Sequence, residues 1–234
     1  MSSSAIKDYA GIAWWSWDRC LKDAEMSLDR MNEEVRASLR TYAEYAPQAE
    51  ERHEFALRFW MRLIRNSGSV VALAAAGMGS QAAIVHRVSL EHFAIMYALA
   101  KGTWTDEQVL EMSKFEGYKY ALALRETLKK DDGEGRVVLT SGAREALLAF
   151  IDDDENKADP TGVNIHNILC GEDLKFFHDT YRQLSLHAAH ANAVSVTWEP
   201  SPKEMAVMLV GVKELLDLSA LVWRDTIGIK HSQG

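Results

Sequence analysis

The feature that most constrains the fold is a spacing of three and four between apolar residues in the first fifth of the chain. The residues that keep this spacing are Trp14, Trp17, Leu21, Ala24, Leu28, Met31, Val35, Leu39 and Tyr42. A helical period places them on one side, and charged residues occupy the other sides. The pattern ends before Pro47, because a residue that precedes proline avoids the helical region. The sequence therefore predicts one long helix over residues 4–46.

Helical patterns continue beyond this point and are separated by local stop and start signals. Gly77 and Gly79 interrupt an apolar run, and Thr105 with Gln108 has the spacing of a capping box. Ser201 begins another such box, with proline at the first helical position and glutamate at the third. Each signal predicts a helix boundary.

The fold class follows from these patterns, since no strand pattern competes with them. Only residues 152–171, which begin with an acidic run, are predicted as a long loop. We expect one all-α domain over residues 1–234, built as a bundle of six or seven helices. In this bundle the long N-terminal helix precedes a core over residues 48–227.

Composition and charge exclude several classes of protein. The chain has 47% apolar and 26% charged residues, as ordinary globular domains do, and a formal net charge of -8. That charge disfavours binding to DNA and to anionic membranes, and any RNA contact needs a local basic patch. Two distant cysteines and no signal-peptide pattern favour the cytoplasm. Residues 66–85 carry no charge, but they are rich in alanine, glycine and serine, which predicts helix packing rather than a membrane span.

Two pairs of polar residues are predicted to form a cluster between helices. Arg87 and Glu91 share one helical face, and apolar neighbours turn that face inward. Tyr181 and Ser185 have the same spacing on a later helix. Because a half-buried charge needs a partner, we expect these four residues to meet, together with a nearby histidine. A structural ion-pair network and a functional site are both open at this point.

The segment YRQLSLHAAHAN carries the candidate catalytic residues Arg182, His187 and His190. Arginine matches a phosphate with two parallel hydrogen bonds, and histidine titrates near neutral pH. Arg-x4-His resembles the motif of the metal-independent ribonucleases of the HEPN superfamily. That resemblance implies that Arg182 holds the scissile phosphate and His187 moves a proton, usually across a dimer interface. The same spacing recurs at Arg87 and His92, so the pattern arises readily.

A metal site is the alternative that the histidines raise. His187 and His190 could combine with nearby ligands, namely His166, Cys170 or His178. His166 and Cys170 have helical ligand spacing, but they fall at the end of the predicted loop. The sequence also lacks the paired Glu-x2-His motifs of di-iron bundles. We therefore predict no metal and no cofactor.

Two longer motifs, GSQAAIVHRVSLEH and YRQLSLHAAH, together resemble a bacterial family of helical proteins, domain-of-unknown-function family 5677. The resemblance covers about Leu63 to Asn192 and implies that Arg87, Glu91, Tyr181 and Ser185 act with a histidine. In the family pattern this histidine lies four residues after the serine, where this chain has Ala189. His187 and His190 are therefore both candidates. By analogy the family is HEPN-like and is associated with prokaryotic defence and toxin genes.

Two functions follow as expectations. The first is a HEPN-like endoribonuclease that acts as a homodimer on RNA. The second is a non-catalytic interaction or oligomerisation protein, in which the polar cluster only fixes helix packing. A ribonuclease requires Arg182 and His187 in an open, basic groove, whereas a packing cluster requires buried and fully hydrogen-bonded groups.

Overall fold

The computed structural model describes residues 28–131, 140–157, 164–171, 174–189 and 198–228. These residues form α-helices, short 3₁₀ turns and one π-helical turn, and they contain no strand. The prediction of an all-α fold is confirmed.

Eight α-helices lie within the described residues. They are α1 (Leu28–Tyr45), α2 (Glu54–Ala75), α3 (Gly79–Ala100), α4 (Asp106–Asp131), α5 (Ser141–Asp152), α6 (Ile165–Leu169), α7 (Lys175–Leu184) and α8 (Pro202–Thr226). The start of the predicted N-terminal helix, with Trp14 and Trp17, lies outside the described residues.

The predicted loop over residues 152–171 is wrong in two places. Asp154–Lys157 forms a 3₁₀ turn, and α6 follows it. The start of α6 is fixed locally, because the Asn164 side chain accepts a hydrogen bond of 2.8 Å from the backbone N–H of His166. Acidic residues, an Asp-Pro pair and a glycine precede this short helix. Because such residues are typical of loops, the sequence pattern predicted a loop here.

The predicted capping signals are confirmed. Thr105 and Gln108 bond each other's backbone N–H at 2.9 and 3.3 Å at the start of α4. Ser201 and Glu204 form the same reciprocal arrangement before α8, with Pro202 at its first position. Between α2 and α3, Gly77 has a φ of 72°, a left-handed conformation that favours glycine.

The chain divides into two compact units, and the first contains residues 1–103 and 164–234. Its core centres on Trp60 of α2 and Trp223 of α8, which are both fully buried and stack with ring centroids 5.4 Å apart. The indole N–H of Trp60 donates a 2.8 Å hydrogen bond to Ser219. Tyr42 of α1 packs on the same ring at 5.1 Å. Aromatic packing therefore joins α1, α2 and α8.

The uncharged run over residues 66–85 forms the turn of a helical hairpin. It contains the end of α2 and the start of α3, where Val70, Val71, Ala82 and Ala83 are buried. Small side chains allow the two helices to approach closely. Among the described helices, none is both long enough and apolar enough to cross a membrane.

The second unit contains residues 104–163. Within it, the Asn156 side chain donates a 2.9 Å hydrogen bond to the carbonyl of Phe150, which attaches the 3₁₀ turn to α5. Gly117 of α4 lies against the Phe150 ring. The expectation of a single domain stays a prediction, because a division by contacts does not measure whether either unit folds alone.

Candidate functional site

Four polar side chains form a network between α3 and α7, which we name the Arg87 cluster (Arg87, Glu91, Tyr181 and Ser185). Arg87 donates from Nε to the Ser185 hydroxyl at 2.8 Å and from a terminal nitrogen to the Tyr181 hydroxyl at 2.9 Å. It also pairs with Glu91 at 3.1 Å. The Tyr181 hydroxyl donates to the same carboxylate at 3.1 Å. One arginine thus connects three partners on two helices.

The burial and charges of the Arg87 cluster affect the Tyr181 phenol. The side chains of Arg87 and Glu91 are only 19% and 25% exposed, so their ion pair is poorly screened by water. Burial, and next the negative charge of Glu91, raise the pKa of Tyr181. The phenol therefore stays protonated and donates. The Arg87 guanidinium also lies over the Tyr181 ring, 4.8 Å from its centroid.

Both hydroxyl groups of the Arg87 cluster already donate and accept hydrogen bonds within it. Ser185 accepts from Arg87 and donates to the backbone carbonyl of Tyr181 at 2.8 Å. Its proton is therefore not directed toward a histidine, as a serine nucleophile would require. This arrangement holds α3 against α7 and is suited to structure more than to catalysis.

A π-helical turn, Ser185–Ala189, follows α7 directly. Such turns insert an extra residue into a helix and are frequent at functional sites. The turn begins at Ser185, the residue that Arg87 binds. Regular helical spacing therefore does not hold between Arg182 and His187.

His187 lies in this turn and faces the start of α8. Its ring packs on Trp198 with centroids 5.6 Å apart. Its Nδ1 is buried and has no hydrogen-bond partner among the described residues. The nearby His187 is also a minor cause of the lowered pKa of Glu204, after the hydrogen bonds from Ser201. The expected hydrogen bonding of His187 within the Arg87 cluster is not seen, because its ring packs on Trp198 instead.

Arg182 has different surroundings from His187. It is exposed and, in the described part of the chain, its side chain has no hydrogen-bond or ion-pair partner. It lines an open surface depression together with Asp179, Gln183 and Leu186. His190, the other candidate histidine, lies outside the described residues.

The two residues of the second Arg-x4-His pair, Arg87 and His92, have partners on different helices. His92 Nδ1 lies 3.1 Å from the side-chain nitrogen of Asn66 on α2, and its ring packs on Phe59. Burial, and next the positive charge of Arg62, lower the pKa of His92 to about 4. This histidine is therefore neutral at pH 7 and belongs to the α2–α3 interface.

A third polar group was set aside in the sequence and comes together in the structure. His166 and Cys170 at α6 meet His178 of α7, and one ligand atom from each lies within 4.8 Å of the other two. The spacing of four between His166 and Cys170 is a sequence signal for this group. That signal has meaning only in a helix, and the sequence predicted a loop here.

These features define an all-α protein in which a closed polar network joins two helices next to a π-helical turn. The chain belongs to the family of unknown function DUF5677, which matches residues 53–198 and so includes every site described above. The resemblance proposed from the sequence is confirmed. No curated protein and no solved structure matches the chain.

Proposed function

We propose that the protein is a HEPN-like, metal-independent endoribonuclease, in which Arg182 binds the scissile phosphate and His187 transfers a proton. The observation that carries the proposal is that, within the described residues, neither the Arg182 side chain nor His187 Nδ1 has a hydrogen-bond partner. Arg182 is exposed in an open depression, and five residues later His187 has a ring nitrogen without a partner among the described residues. A guanidinium that is not held by a carboxylate can bind phosphate, and an imidazole can transfer a proton.

The π-helical turn supports this pairing. In an α-helix, side chains five residues apart point about 140° away from each other. A π turn has more residues per turn than an α-helix, so the part of this separation that lies in it, from Ser185 to His187, turns the chain by a smaller angle per residue. The turn at Ser185–Ala189 therefore reduces the angle between Arg182 and His187 compared with the angle in a regular helix.

The proposal includes a homodimer, which rests on the HEPN resemblance, where the site is usually completed across a dimer interface. Arg182 shares its depression with Asp179, and the chain carries a net charge of -8, so one copy attracts RNA weakly. Two copies that face each other would place the arginine of one beside the histidine of the other. By resemblance, such enzymes act in prokaryotic defence and toxin systems.

A second candidate function is a non-catalytic interaction protein. The observation that favours it is the Arg87 cluster, in which the committed hydrogen bonds explain the polar residues without any reaction. In this function the cluster only fixes the position of α7, and the partner is another protein surface.

The deciding experiment is RNA cleavage by the purified chain in the presence of EDTA. We compare wild type with Arg182→Ala and His187→Ala, and with Lys175→Ala as a control that removes another exposed cation from α7. Each catalytic variant is expected to lose about 10²-fold or more in rate, the usual share of a general acid or base. The control should retain full activity.

The two candidate functions predict different results. If wild type cleaves and both catalytic variants fail while melting at the wild-type temperature, the ribonuclease is supported. If wild type does not cleave single-stranded or structured RNA, the ribonuclease proposal is rejected. Cross-linking of the chain to itself or to a partner then tests the interaction function.

A further inference from the structure

The third polar group consists of His166, Cys170 and His178. The Cys170 sulfur lies 3.4 Å from His166 Nε2, and His166 Nδ1 lies 3.0 Å from His178 Nε2. The two imidazole rings meet edge to face, with centroids 4.6 Å apart. A thiol and two imidazoles are therefore concentrated at one point between α6 and α7.

The fold holds these three side chains in place. His166 and Cys170 are four residues apart at α6, so they share one face of a helical turn. Leu169 of α6 and Leu174, just before α7, are both buried, which anchors the short helix. His178 projects from α7 with only 9% of its surface exposed. His178 is therefore held rigidly, whereas His166 and Cys170 lie near solvent, which leaves a route for an ion to enter.

The ligand chemistry selects a class of metal. Two nitrogens and a sulfur are the ligands of zinc and its transition-metal neighbours, whereas Mg²⁺ and Ca²⁺ require oxygen. Around a tetrahedral Zn²⁺ with bonds of about 2.0 to 2.3 Å, ligand atoms lie roughly 3.3 to 3.7 Å apart. One atom from each of the three residues already lies within 4.8 Å of the others. Cys170 now faces His166 Nε2 and His178 faces His166 Nδ1, so a rotation of the His166 ring that directs one nitrogen between the other two ligands would form the site.

The surroundings of His178 also fit a metal ligand. Its Nδ1 lies 3.6 Å from the carboxylate of Asp179. Histidines that bind metals through one ring nitrogen usually direct the other toward a carboxylate, which fixes the ring and increases its basicity. This leaves His178 Nε2 to face His166, whose Nδ1 lies 3.0 Å away.

We propose that His166, Cys170 and His178 bind one Zn²⁺ ion with three protein ligands, and that a fourth position is open to water or a small ligand. The ion would connect α6 to α7, four residues before Arg182. Binding requires loss of the thiol proton, so affinity increases with pH. The proposal stands apart from the ribonuclease, which needs no metal.

The test is metal binding by the full chain after its metal has been removed with EDTA and the EDTA dialysed away. Zn²⁺ is titrated under reducing conditions in competition with a chromophoric chelator, and Co²⁺ serves as a spectroscopic probe of thiolate ligation. We expect one ion per chain and a sulfur-to-cobalt charge-transfer band in the near ultraviolet. Wild-type zinc binding should also raise the melting temperature.

Variants assign the ligands. Cys170→Ser should remove the charge-transfer band and weaken zinc binding by at least about 100-fold, and Asp179→Asn should weaken it by about tenfold. Cys20→Ser, which removes the only other cysteine of the sequence, is the matched control and should keep both the band and the affinity. Because Cys170 is exposed, its variant is expected to fold normally.

Three results would overturn the proposal. They are the absence of stoichiometric zinc binding by wild type, a cobalt spectrum without the thiolate band, and an affinity that Cys170→Ser leaves unchanged. The first result would assign the cluster to a hydrogen-bonded thiol and imidazole chain without metal. None of these measurements involves RNA, so failure of the ribonuclease proposal and failure of this one are distinguishable.

Discussion

Polar residues of α7 and of the π-helical turn after it differ in how completely their hydrogen bonds are satisfied. Tyr181 and Ser185 are joined to Arg87 of α3 by short hydrogen bonds. Arg182 is the next residue after Tyr181, yet it is exposed and has no such partner in the described part of the chain. Neighbouring polar residues on one helix therefore serve different purposes. Satisfied groups hold the helices together, and unsatisfied groups remain available for ligands.

The largest expected effect comes from breaking the Arg87 cluster. Arg87→Met leaves the Glu91 carboxylate without its cation and removes the partner of two hydroxyl groups. Breaking a largely buried ion pair is expected to cost about 3 kcal/mol of unfolding free energy. Urea denaturation at pH 7 measures it, with Arg58→Met as the control for an exposed pair. Equal stability of the two variants would show that the cluster does not hold α3 to α7.

The next effect is a dependence of stability on pH, which comes from a buried histidine of α3. Burial lowers the pKa of His86 from 6.5 to about 4, so the folded protein keeps it neutral while the unfolded chain protonates it. Its contribution is complete above pH 6.5 and is lost as pH falls toward 4. Between pH 7 and pH 5 the loss is about 2 kcal/mol of unfolding free energy.

Urea titrations at both pH values measure this loss, and His86→Leu is the comparison variant. The variant lacks the titrating group, so its stability should fall less than that of wild type over the same interval. A methyl group on Gly211 of α8 would lie 3.2 Å from His86 Nε2, so the imidazole is packed closely by that helix. Identical pH dependence in both proteins would contradict the assignment.

A smaller effect is expected from removing one hydroxyl of the closed network. Tyr181→Phe keeps the ring under Arg87 but deletes the group that accepts from Arg87 and donates to Glu91. The loss of these hydrogen bonds should cost about 1.5 kcal/mol of unfolding free energy. Thermal and urea denaturation measure it. A double variant with Arg87→Met should be less destabilised than the sum, because the two residues share one network.

The smallest effect on stability is expected from removing the exposed Arg182 side chain. Arg182→Ala removes an exposed side chain that has no hydrogen-bond or ion-pair partner among the described residues. Its unfolding free energy should stay within about 0.5 kcal/mol of wild type. Differential scanning calorimetry beside Arg87→Met gives the comparison directly. A loss as large as that of Arg87→Met would mean that Arg182 is structural, and the proposed phosphate role would then fail.

Some parts of the candidate site were accessible from helical spacing alone. Arg87 with Glu91, and Tyr181 with Ser185, are each four residues apart, so regular geometry places each pair on one helix face. The catalytic roles of Arg182, His187 and His190 stay predictions. The spacing of residues in the sequence does not predict the π-helical turn, which changes the direction of His187. That turn begins where Arg87 binds Ser185, a contact between residues 98 positions apart.

The helical class and several helix boundaries follow from local residue patterns. Thr105 with Gln108, Ser201 with Glu204, and the left-handed Gly77 act through neighbouring residues, so they can be read without the fold. Tertiary structure decided the remainder. Glu199 caps the start of α3 by accepting from the backbone N–H of Gly79 at 3.0 Å.

The grouping of His166, Cys170 and His178 is likewise a property of tertiary structure. It requires α6, a helix too short to have a clear period, to pack against α7. Local signals depend on the free energy of a few adjacent residues. The Arg87 cluster and this histidine and cysteine group exist only because burial of apolar side chains such as Leu169 and Leu174 brings separate helices together.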